Sequence, residues 1–147
     1  MNTLLVPIDF SEATDAVLEE ARKLSKSLDA RVVLLHVIEP VASYIPVGAS
    51  MDVLAAPIQE NLPNQETIQK RLDQLATRLG TTPTASHAVI GTAVSEILDF
   101  AESEDVTYIL LGSHGHGALY HLFSGSVVTG VLKKSKRPVV VIPSVTK

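Results

Sequence analysis

Four of the chain's eight glycines lie in one short stretch, residues 112–126, together with three of its five histidines and no carboxylate. Glycine lets the backbone adopt positive φ and approach a ligand closely, and successive amides in such turns form concave anion sites. An acidic side chain here would repel a phosphate, and the stretch contains none. These residue types therefore favour an anion site formed by main-chain N–H groups.

Two common phosphate-binding motifs do not fit this stretch. A P-loop needs Lys followed by Ser or Thr after its second glycine, whereas Ala118 and Leu119 stand at those positions. The dinucleotide-binding motif needs a third glycine where Tyr120 stands. A phosphate site here would therefore depend on amides and hydroxyls and not on a Walker lysine.

Length and composition indicate one soluble domain. The chain has 147 residues, of which 46% are hydrophobic and 19% charged, and no segment approaches the roughly 20 apolar residues of a membrane span. The amino-terminal sequence lacks the features of a signal peptide, and the absence of cysteine excludes disulfides and thiolate metal sites. We expect a single cytoplasmic domain over residues 1–147.

The charge of the chain is unevenly distributed. Residues 1–105 hold all sixteen acids and seven Lys and Arg, whereas residues 106–147 hold five bases and no acid. The glycine-rich stretch is therefore predicted to belong to the cationic part. A net charge of −4 gives no reason to expect a nucleic-acid partner, and the basic cluster at 133–137 lacks interleaved aromatic residues. We interpret that cluster as a solvated helix end.

Short apolar runs alternate with helical patterns along the chain. The runs, each predicted to be a strand, are 3–8, 31–38, 85–90, 106–112 and 138–142. Most are nearly continuous in apolar character, as expected for strands covered on both faces. The run at 85–90 is more polar and is expected at a sheet edge. This alternation predicts an α/β domain with a parallel sheet and helices on both faces.

Apolar residues recur at helical spacing between the strands. The first helix is predicted to follow Ser11 as N-cap, the second to end before Gly80, and the third to follow Thr92. The last helix is predicted from about Ser124, where its free N–H groups would add to an anion site. The segment 39–61 contains three prolines and no clear period, so we predict a long loop ordered by a ligand or partner.

The spacing of Gly112, two residues, Gly115, nine residues, then Gly125 and Ser126 resembles the ATP-binding motif of the universal stress protein family. The resemblance extends over nearly the whole chain and is weakest at about 40–60. It is carried also by LLVPIDFSEATDAVLEEA, LLHVIEP, VIGTAVSEILDFAESEDVTYILLGSHG and RPVVVIP. It implies a Rossmann-like domain whose five parallel strands are ordered 3-2-1-4-5.

The resemblance also implies a nucleotide site beyond the carboxyl ends of the strands. The implied residues are Pro7, Ile8, Asp9, Val37, Gly112, Ser113, Gly115, His116, Gly117, Gly125, Ser126 and Val127. Asp9 and Val37 would border the base and ribose, and Gly112 and Gly115 would contact ribose and phosphate.

The same resemblance implies that the phosphates are bound at residues 125–127, by amides and the Ser126 hydroxyl. The expected ligand is ATP or a related adenine nucleotide, with Mg²⁺ or Mn²⁺ held mainly by the phosphates. His116 departs from the family pattern, in which Arg or Lys is more usual. A histidine with a pKa near ~6.5 is mostly neutral at pH 7, which weakens the electrostatic attraction.

Structural alternatives exist for several of these residues. Asp9 could be a turn residue only, and the glycines could merely shape a tight turn. His114 and His116 could begin a metal site, but His121 is the one further ligand nearby and no carboxylate accompanies them. His36, in an apolar strand, is predicted to be a satisfied core or strand-end residue, and the edge-strand His87 to face solvent.

Catalysis has little support in the sequence. A phosphotransferase needs a group that orients the nucleophile and usually a lysine or arginine on the transferred phosphoryl group, and neither is identifiable. We expect a nucleotide-dependent regulatory protein that presents its bound state to an unidentified protein partner. The family resemblance implies a homodimer through the strand at 138–142. The alternatives are a dimeric interaction protein without nucleotide and a slow ATPase or self-phosphorylating protein.

Overall fold

The computed structural model describes residues 1–40, 64–113 and 120–143, and of residues 120–126 it describes the backbone alone. Over these residues, strands and helices alternate. In chain order they are β1 Asn2–Pro7, α1 Thr14–Leu28, β2 Ala30–Ile38, α2 Gln65–Thr77, β3 Thr84–Ile90, α3 Ala93–Ser103, β4 Tyr108–Gly112, α4 Tyr120–Lys134 and β5 Val139–Ile142. From residue 41 onward, the loop predicted at 39–61 lies outside the described residues.

The five strands form one parallel sheet in the order β3-β2-β1-β4-β5. This confirms the predicted fold class and the edge position of β3. Two connections run from β1 towards β3 and two run from β3 back to β5, so right-handed crossovers place α1 and α2 on one face and α3 and α4 on the other.

The hydrophobic core has two layers because successive strand residues point to opposite faces of the sheet. Leu4, Val32 and Leu34 pack against α1 and α2 in the first layer, whereas Leu5, Val33 and Leu35 pack against α3 and α4 in the second. All six are almost fully buried. Apolar residues on both faces explain why the central strands appear as continuous hydrophobic runs in the sequence.

Of the predicted ends of α1, α2 and α3, the start of α1 differs from its prediction. The N-cap position of α1 is Ala13 and not Ser11. Ser11 instead forms a turn before the helix, in which its hydroxyl accepts a hydrogen bond from the Ala13 N–H at 3.3 Å. Thr92 does precede α3, but its side chain makes no capping bond. Gly80 lies just past the end of α2 with φ of +66°, as predicted.

No helix in the described ranges combines the length and the apolar character needed to cross a bilayer. His87 is exposed on β3, as predicted, and its ring centroid lies 5.1 Å from that of Phe100 on α3.

Candidate functional site

The carboxyl ends of the three central strands lie at one level. Pro7 pairs with Leu35 on β2, and Leu5 pairs with Ile109 on β4. Asp9 follows β1, Val37 lies near the end of β2, and Ser113 follows β4, so all three positions are at the same end of the sheet. The sheet therefore brings predicted site residues from three separate segments to the carboxyl ends of its central strands.

Asp9 leaves β1 on an exposed turn. Its Oδ1 accepts a hydrogen bond from the Ser11 N–H at 2.9 Å, which is the turn role considered as the alternative for this residue. Its Oδ2 has no hydrogen-bond partner recorded within the part of the chain that the structure describes. The carboxylate therefore combines a structural bond with capacity to accept a second donor.

Pro7 and Ile8 lie at the carboxyl end of β1 and take part in the candidate site through their main-chain groups. The Ile8 N–H donates to the Leu35 carbonyl at 2.8 Å, which extends the pairing of β1 with β2 by one residue. The Ile8 side chain is 4% exposed and belongs to the core layer under α1 and α2. A ligand at the sheet edge would meet Ile8 through its backbone.

Phe10 adopts the left-handed conformation, with φ of 58°, directly after Asp9. A non-glycine residue in this region is strained and needs support from its surroundings. The support is a three-membered stack: the Arg71 guanidinium carbon lies 3.9 Å from the Phe10 ring centroid, and the His36 ring centroid lies 4.9 Å from it. This stack holds the turn that carries Asp9.

His36 also binds the end of β1 directly. Its Nδ1 lies 2.6 Å from the Ile8 carbonyl oxygen, so Nδ1 carries the proton and donates it. The prediction of a satisfied strand-end histidine is therefore confirmed. Sequence reasoning missed the contributions of Phe10 and Arg71; the positive φ of Phe10 leaves no signal in the sequence, since the residue type does not favour it.

Val37 lies on the opposite face of β2 from His36. It is partly buried and packs against the second core layer. Side chains at positions 36 and 37 of β2 point to opposite faces of the sheet. The Phe10 stack and Val37 therefore lie on opposite faces, both at the carboxyl ends of the strands.

Gly112, the last residue of β4, has a packing reason to be glycine. A Cβ added there would lie 3.1 Å from the Ala13 Cβ and 3.4 Å from Val17 Cγ2. The amino-terminal end of α1 thus crosses β4 at close range. The next residue, Ser113, donates its N–H to the Ile142 carbonyl at 2.8 Å, so β4 and β5 remain joined at this level.

Several predicted site residues cannot be placed as side chains. Gly115, His116 and Gly117 lie outside the described residues, as does His114, and Gly125 and Ser126 are described as helical backbone alone. Val127 is partly buried and packs against the second core layer. Gly130 is required by packing, since an added Cβ would lie 2.8 Å from Val94 Cγ2.

The predicted start of the last helix near Ser124 is wrong, because α4 begins at Tyr120. Residues 120–124 contain no glycine or proline, so nothing in their types stops a helix from including them. In a helix that begins at Tyr120, the N–H groups of Gly125 and Ser126 lie beyond the four that lack an intrahelical partner.

A glutamate side chain binds the amino-terminal end of α3. Glu39, directly after β2, accepts a hydrogen bond from the Ala93 N–H through Oε1 at 3.0 Å. This carboxylate interacts favourably with the positive end of the helix dipole. Sequence analysis did not identify Glu39, because its partner lies 54 residues away.

The basic cluster at residues 133–137 lies far from the carboxyl ends of the central strands. Lys133 and Lys134 are at the carboxyl-terminal end of α4, on the order of 20 Å from its start at 1.5 Å per residue. Arg137 donates to Asp105 at 2.8 Å and to Glu102 at 3.2 Å. These carboxylates raise the pKa of Arg137, the hydrogen bond to Glu102 being the larger cause. The cationic character predicted for the glycine-rich stretch therefore belongs to the opposite end of the sheet.

Comparisons with known proteins agree with this architecture. The model of the universal stress protein family matches residues 1–143. Universal stress protein MJ0577 of Methanocaldococcus jannaschii is 29% identical over 95% of this chain and 93% of its own length. Universal stress protein A homolog 2 of Coxiella burnetii is 31% identical over 95% of this chain and 92% of its own length.

Solved structures show the same similarity. The structure of protein MJ0577 has a TM-score of 0.79 and 27% identity, and the match covers 99% of this chain and 98% of that one. Two universal stress protein structures with 20% identity, one in complex with cAMP and one from Archaeoglobus fulgidus in complex with dAMP, share the fold at TM-scores of 0.64 and 0.62. The chain belongs to the universal stress protein family.

Proposed function

We propose that this chain binds an adenine nucleotide, with ATP as the expected ligand, beyond the carboxyl ends of β1, β2 and β4. The observation that carries the proposal is the pairing of Pro7 with Leu35 and of Leu5 with Ile109, which brings the carboxyl ends of β1, β2 and β4 to the same end of the sheet. The two related structures in complex with cAMP and dAMP support the ligand class. The bound chain would act in the cytoplasm as one regulatory domain, residues 1–147, that presents its nucleotide state to a protein partner.

Each proposed contact follows from the chemistry of the residue. Asp9 Oδ2 would accept a hydrogen bond from a ribose hydroxyl or an exocyclic amino group, while Oδ1 keeps the turn in place. Val37 would offer apolar contact to the base. The phosphates would bind main-chain amides that follow Ser113 and those at Gly125 and Ser126, and would themselves hold Mg²⁺ or Mn²⁺.

Phosphate binding at Gly125 and Ser126 requires that α4 begin later than Tyr120. We infer that residues 120–124 leave the helix when nucleotide binds, which frees these amides. Glycine in a helix interior is about 1 kcal/mol less favourable than alanine, so Gly125 weakens the helix where the change would occur. The phosphates would then interact with the positive end of the shortened helix.

Calorimetric titration with ATP and Mg²⁺ tests the proposal through two matched variants. Gly125→Val places a side chain in the phosphate space and should abolish binding. Thr129→Val places the same side chain on the same helix at an exposed position and should leave binding unchanged. Equal affinity in both variants would contradict the phosphate site, and absence of heat from the unmodified chain at tens of micromolar would contradict nucleotide binding itself.

A second candidate is a dimeric interaction protein that binds no nucleotide. It is favoured by the start of α4 at Tyr120 and by the contact of Gly112 with Ala13, which explains that glycine without a ligand. The same titration separates the two candidates. The outcome for the unmodified chain decides between them, and Gly125→Val then locates the ligand.

Self-association is proposed through residues 138–142, as a homodimer. Val141 on β5 is 37% exposed and Leu132 on the preceding helix is 53% exposed, so two large apolar side chains lie uncovered on consecutive elements. Val141→Lys should shift the chain towards monomer in light scattering. Ile90→Lys is the matched control, since Ile90 is 50% exposed at the other edge of the sheet. A monomeric unmodified chain would overturn the proposal.

A further inference from the structure

The outer edge of β3 carries main-chain groups that pair with no strand within the described residues. The Val32 N–H donates to the Pro83 carbonyl and the Gly91 N–H donates to the Ile38 carbonyl. In a parallel pair, alternate residues bond to the neighbouring strand, so odd-numbered residues of β3 face β2. Ser86 and Ala88 therefore direct their N–H and C=O groups outward.

Side chains of α2 bind these outward groups. The Gln69 Oε1 accepts a hydrogen bond from the Ala88 N–H at 2.8 Å, and the Gln69 Nε2 donates to the Ser86 carbonyl at 2.9 Å. One amide thus bonds to residues i and i+2, as the N–H and C=O of one residue in an added parallel strand would. The Gln65 Nε2 donates to the Ala88 carbonyl at 2.7 Å.

The orientation of the Gln69 amide is fixed by a third side chain. Asp73 accepts from the Gln69 Nε2 at 3.0 Å and from the Ser86 hydroxyl at 2.5 Å. A carboxylate on one side and an N–H donor on the other leave a single placement for the amide oxygen and nitrogen. These donors, the Ser86 hydroxyl first and Gln69 second, lower the pKa of Asp73.

The opposite edge of the sheet has no such cover. The Ile109 N–H donates to the Pro138 carbonyl and the Ser113 N–H donates to the Ile142 carbonyl, so Val139 and Val141 direct their main-chain groups outward. Among the described side chains, none is recorded as bonding to those groups. The two edges of one sheet therefore differ in whether their main chain is available to another strand.

We propose that Gln65, Gln69 and Asp73 form a side-chain substitute for a strand, the glutamine cap, which closes the β3 edge and confines strand pairing between copies to β5. A sheet with one open edge can pair once and stop, because a twofold contact uses that edge on both copies. A sheet with two open edges can add copies at each end without limit. Given the homodimer through β5 proposed above, on which this inference rests, the cap would limit assembly to a closed pair.

The double variant Gln65→Ala/Gln69→Ala tests the cap against Gln74→Ala. Gln74 is an exposed glutamine on the same helix, with no side-chain hydrogen bond recorded to the described residues. Light scattering over a range of protein concentrations should show a constant size for the unmodified chain and for Gln74→Ala. The double variant should form species whose size increases with concentration. A constant size for the folded double variant would overturn the proposal.

Gln69→Glu keeps the test decisive if the double variant does not fold. A glutamate has the same length but cannot donate to the Ser86 carbonyl. Its carboxylate would be repelled by Asp73, so we expect the side chain to leave the β3 main chain and the Ala88 N–H to lose its acceptor. Hydrogen exchange gives the local readout: in the unmodified chain the Ala88 amide should exchange more slowly than the outward Ser86 amide, and Gln69→Glu should bring it to the Ser86 rate. An increase in the size of Gln69→Glu with protein concentration supports the cap. Faster hydrogen exchange of the Ala88 amide without an increase in size contradicts it.

Discussion

The two ends of the sheet are held together by different chemistry. At the amino ends of the strands, charged side chains join the elements: Arg31 bonds to Thr3 at 3.0 Å and to Glu104 at 2.8 Å, and Arg137 bonds to Glu102 and Asp105. At the carboxyl ends, hydrogen bonds instead join a side chain to a main-chain group, as between His36 and the Ile8 carbonyl and between Glu39 and the Ala93 N–H.

This difference indicates which end can accept an anion. The arginines at the amino end already bind carboxylates, so their charge is not available to a ligand. The carboxyl end has polar main chain, glycines and a carboxylate with a free oxygen, but within the described ranges its one basic contact is Arg71 in the stack on Phe10. Phosphate binding there would have to use N–H groups.

The largest expected effect comes from breaking the contact between His36 and the end of β1. His36→Phe keeps a ring against Phe10 but leaves the Ile8 carbonyl without its donor, which should lower the free energy of unfolding by about 1–3 kcal/mol. His36→Asn keeps a donor near the position of Nδ1 and should lose less. Denaturant unfolding of both variants measures the difference, and a smaller loss for Phe than for Asn would contradict the assignment of this bond.

Gly112 tests whether the end of β4 is shaped by α1. Gly112→Ala should cost about 1 kcal/mol of unfolding free energy, because the new Cβ would lie 3.1 Å from the Ala13 Cβ in a packed region. Adding Ala13→Gly removes that contact. A double-mutant cycle should therefore give a favourable coupling between the two changes, and strict additivity would show that the crowding is absent.

Arg137→Leu should weaken the amino end while sparing the carboxyl end. We expect a lower Tm, with the loss shrinking in high salt because the ion pairs to Glu102 and Asp105 are partly exposed. Nucleotide affinity should stay unchanged, since the residue lies at the other end of the sheet. A parallel loss of affinity and Tm would show that the two ends are not independent.

The smallest expected effect is a pH dependence at Asp73, on α2 between the two ends. The folded-state pKa of this carboxyl is lowered from 3.8, chiefly by the Ser86 hydroxyl, so its contribution to stability is present above that value. The contribution is lost as the pH falls through the lowered pKa. Asp73→Asn should therefore be less stable than the unmodified chain at neutral pH, and the gap should close in acid. A gap that persists below the lowered pKa would contradict this cause.

The sequence predicted the sheet well because its strands are buried on both faces. Continuous runs such as 31–38 correspond to β2 with small shifts at its ends, and the polar run at 85–90 correctly indicated an edge. Strand order came from the family resemblance and not from the pattern of residues. Helix starts were predicted less well. Thr92 is the N-cap residue of α3, as predicted, but Ala13 and not Ser11 is that of α1, and α4 begins at Tyr120 and not near Ser124.

Asp9, Val37 and Gly112 were predicted at the carboxyl ends of strands, and they lie at that end of the sheet; their contact with a ligand stays a prediction. The contacts that support this end were not predictable. The stack of Arg71, Phe10 and His36 joins three elements, and the glutamine cap joins α2 to β3, so neither leaves a pattern within a single segment. The uneven charge of residues 1–105 and 106–147 led to a wrong prediction for the glycine-rich stretch. The bases at residues 133–137 lie at the amino ends of the strands, because α4 runs to that end of the sheet.

Amide chemical shifts recorded during a titration with ATP and Mg²⁺ locate the proposed nucleotide site. We expect saturable shifts at Asp9, Val37 and Ser113, at the carboxyl ends of the strands, with little change at Arg31 and Glu104 at the amino ends. Shifts centred on the amino ends, or no saturable shift at millimolar nucleotide, would contradict the proposed site.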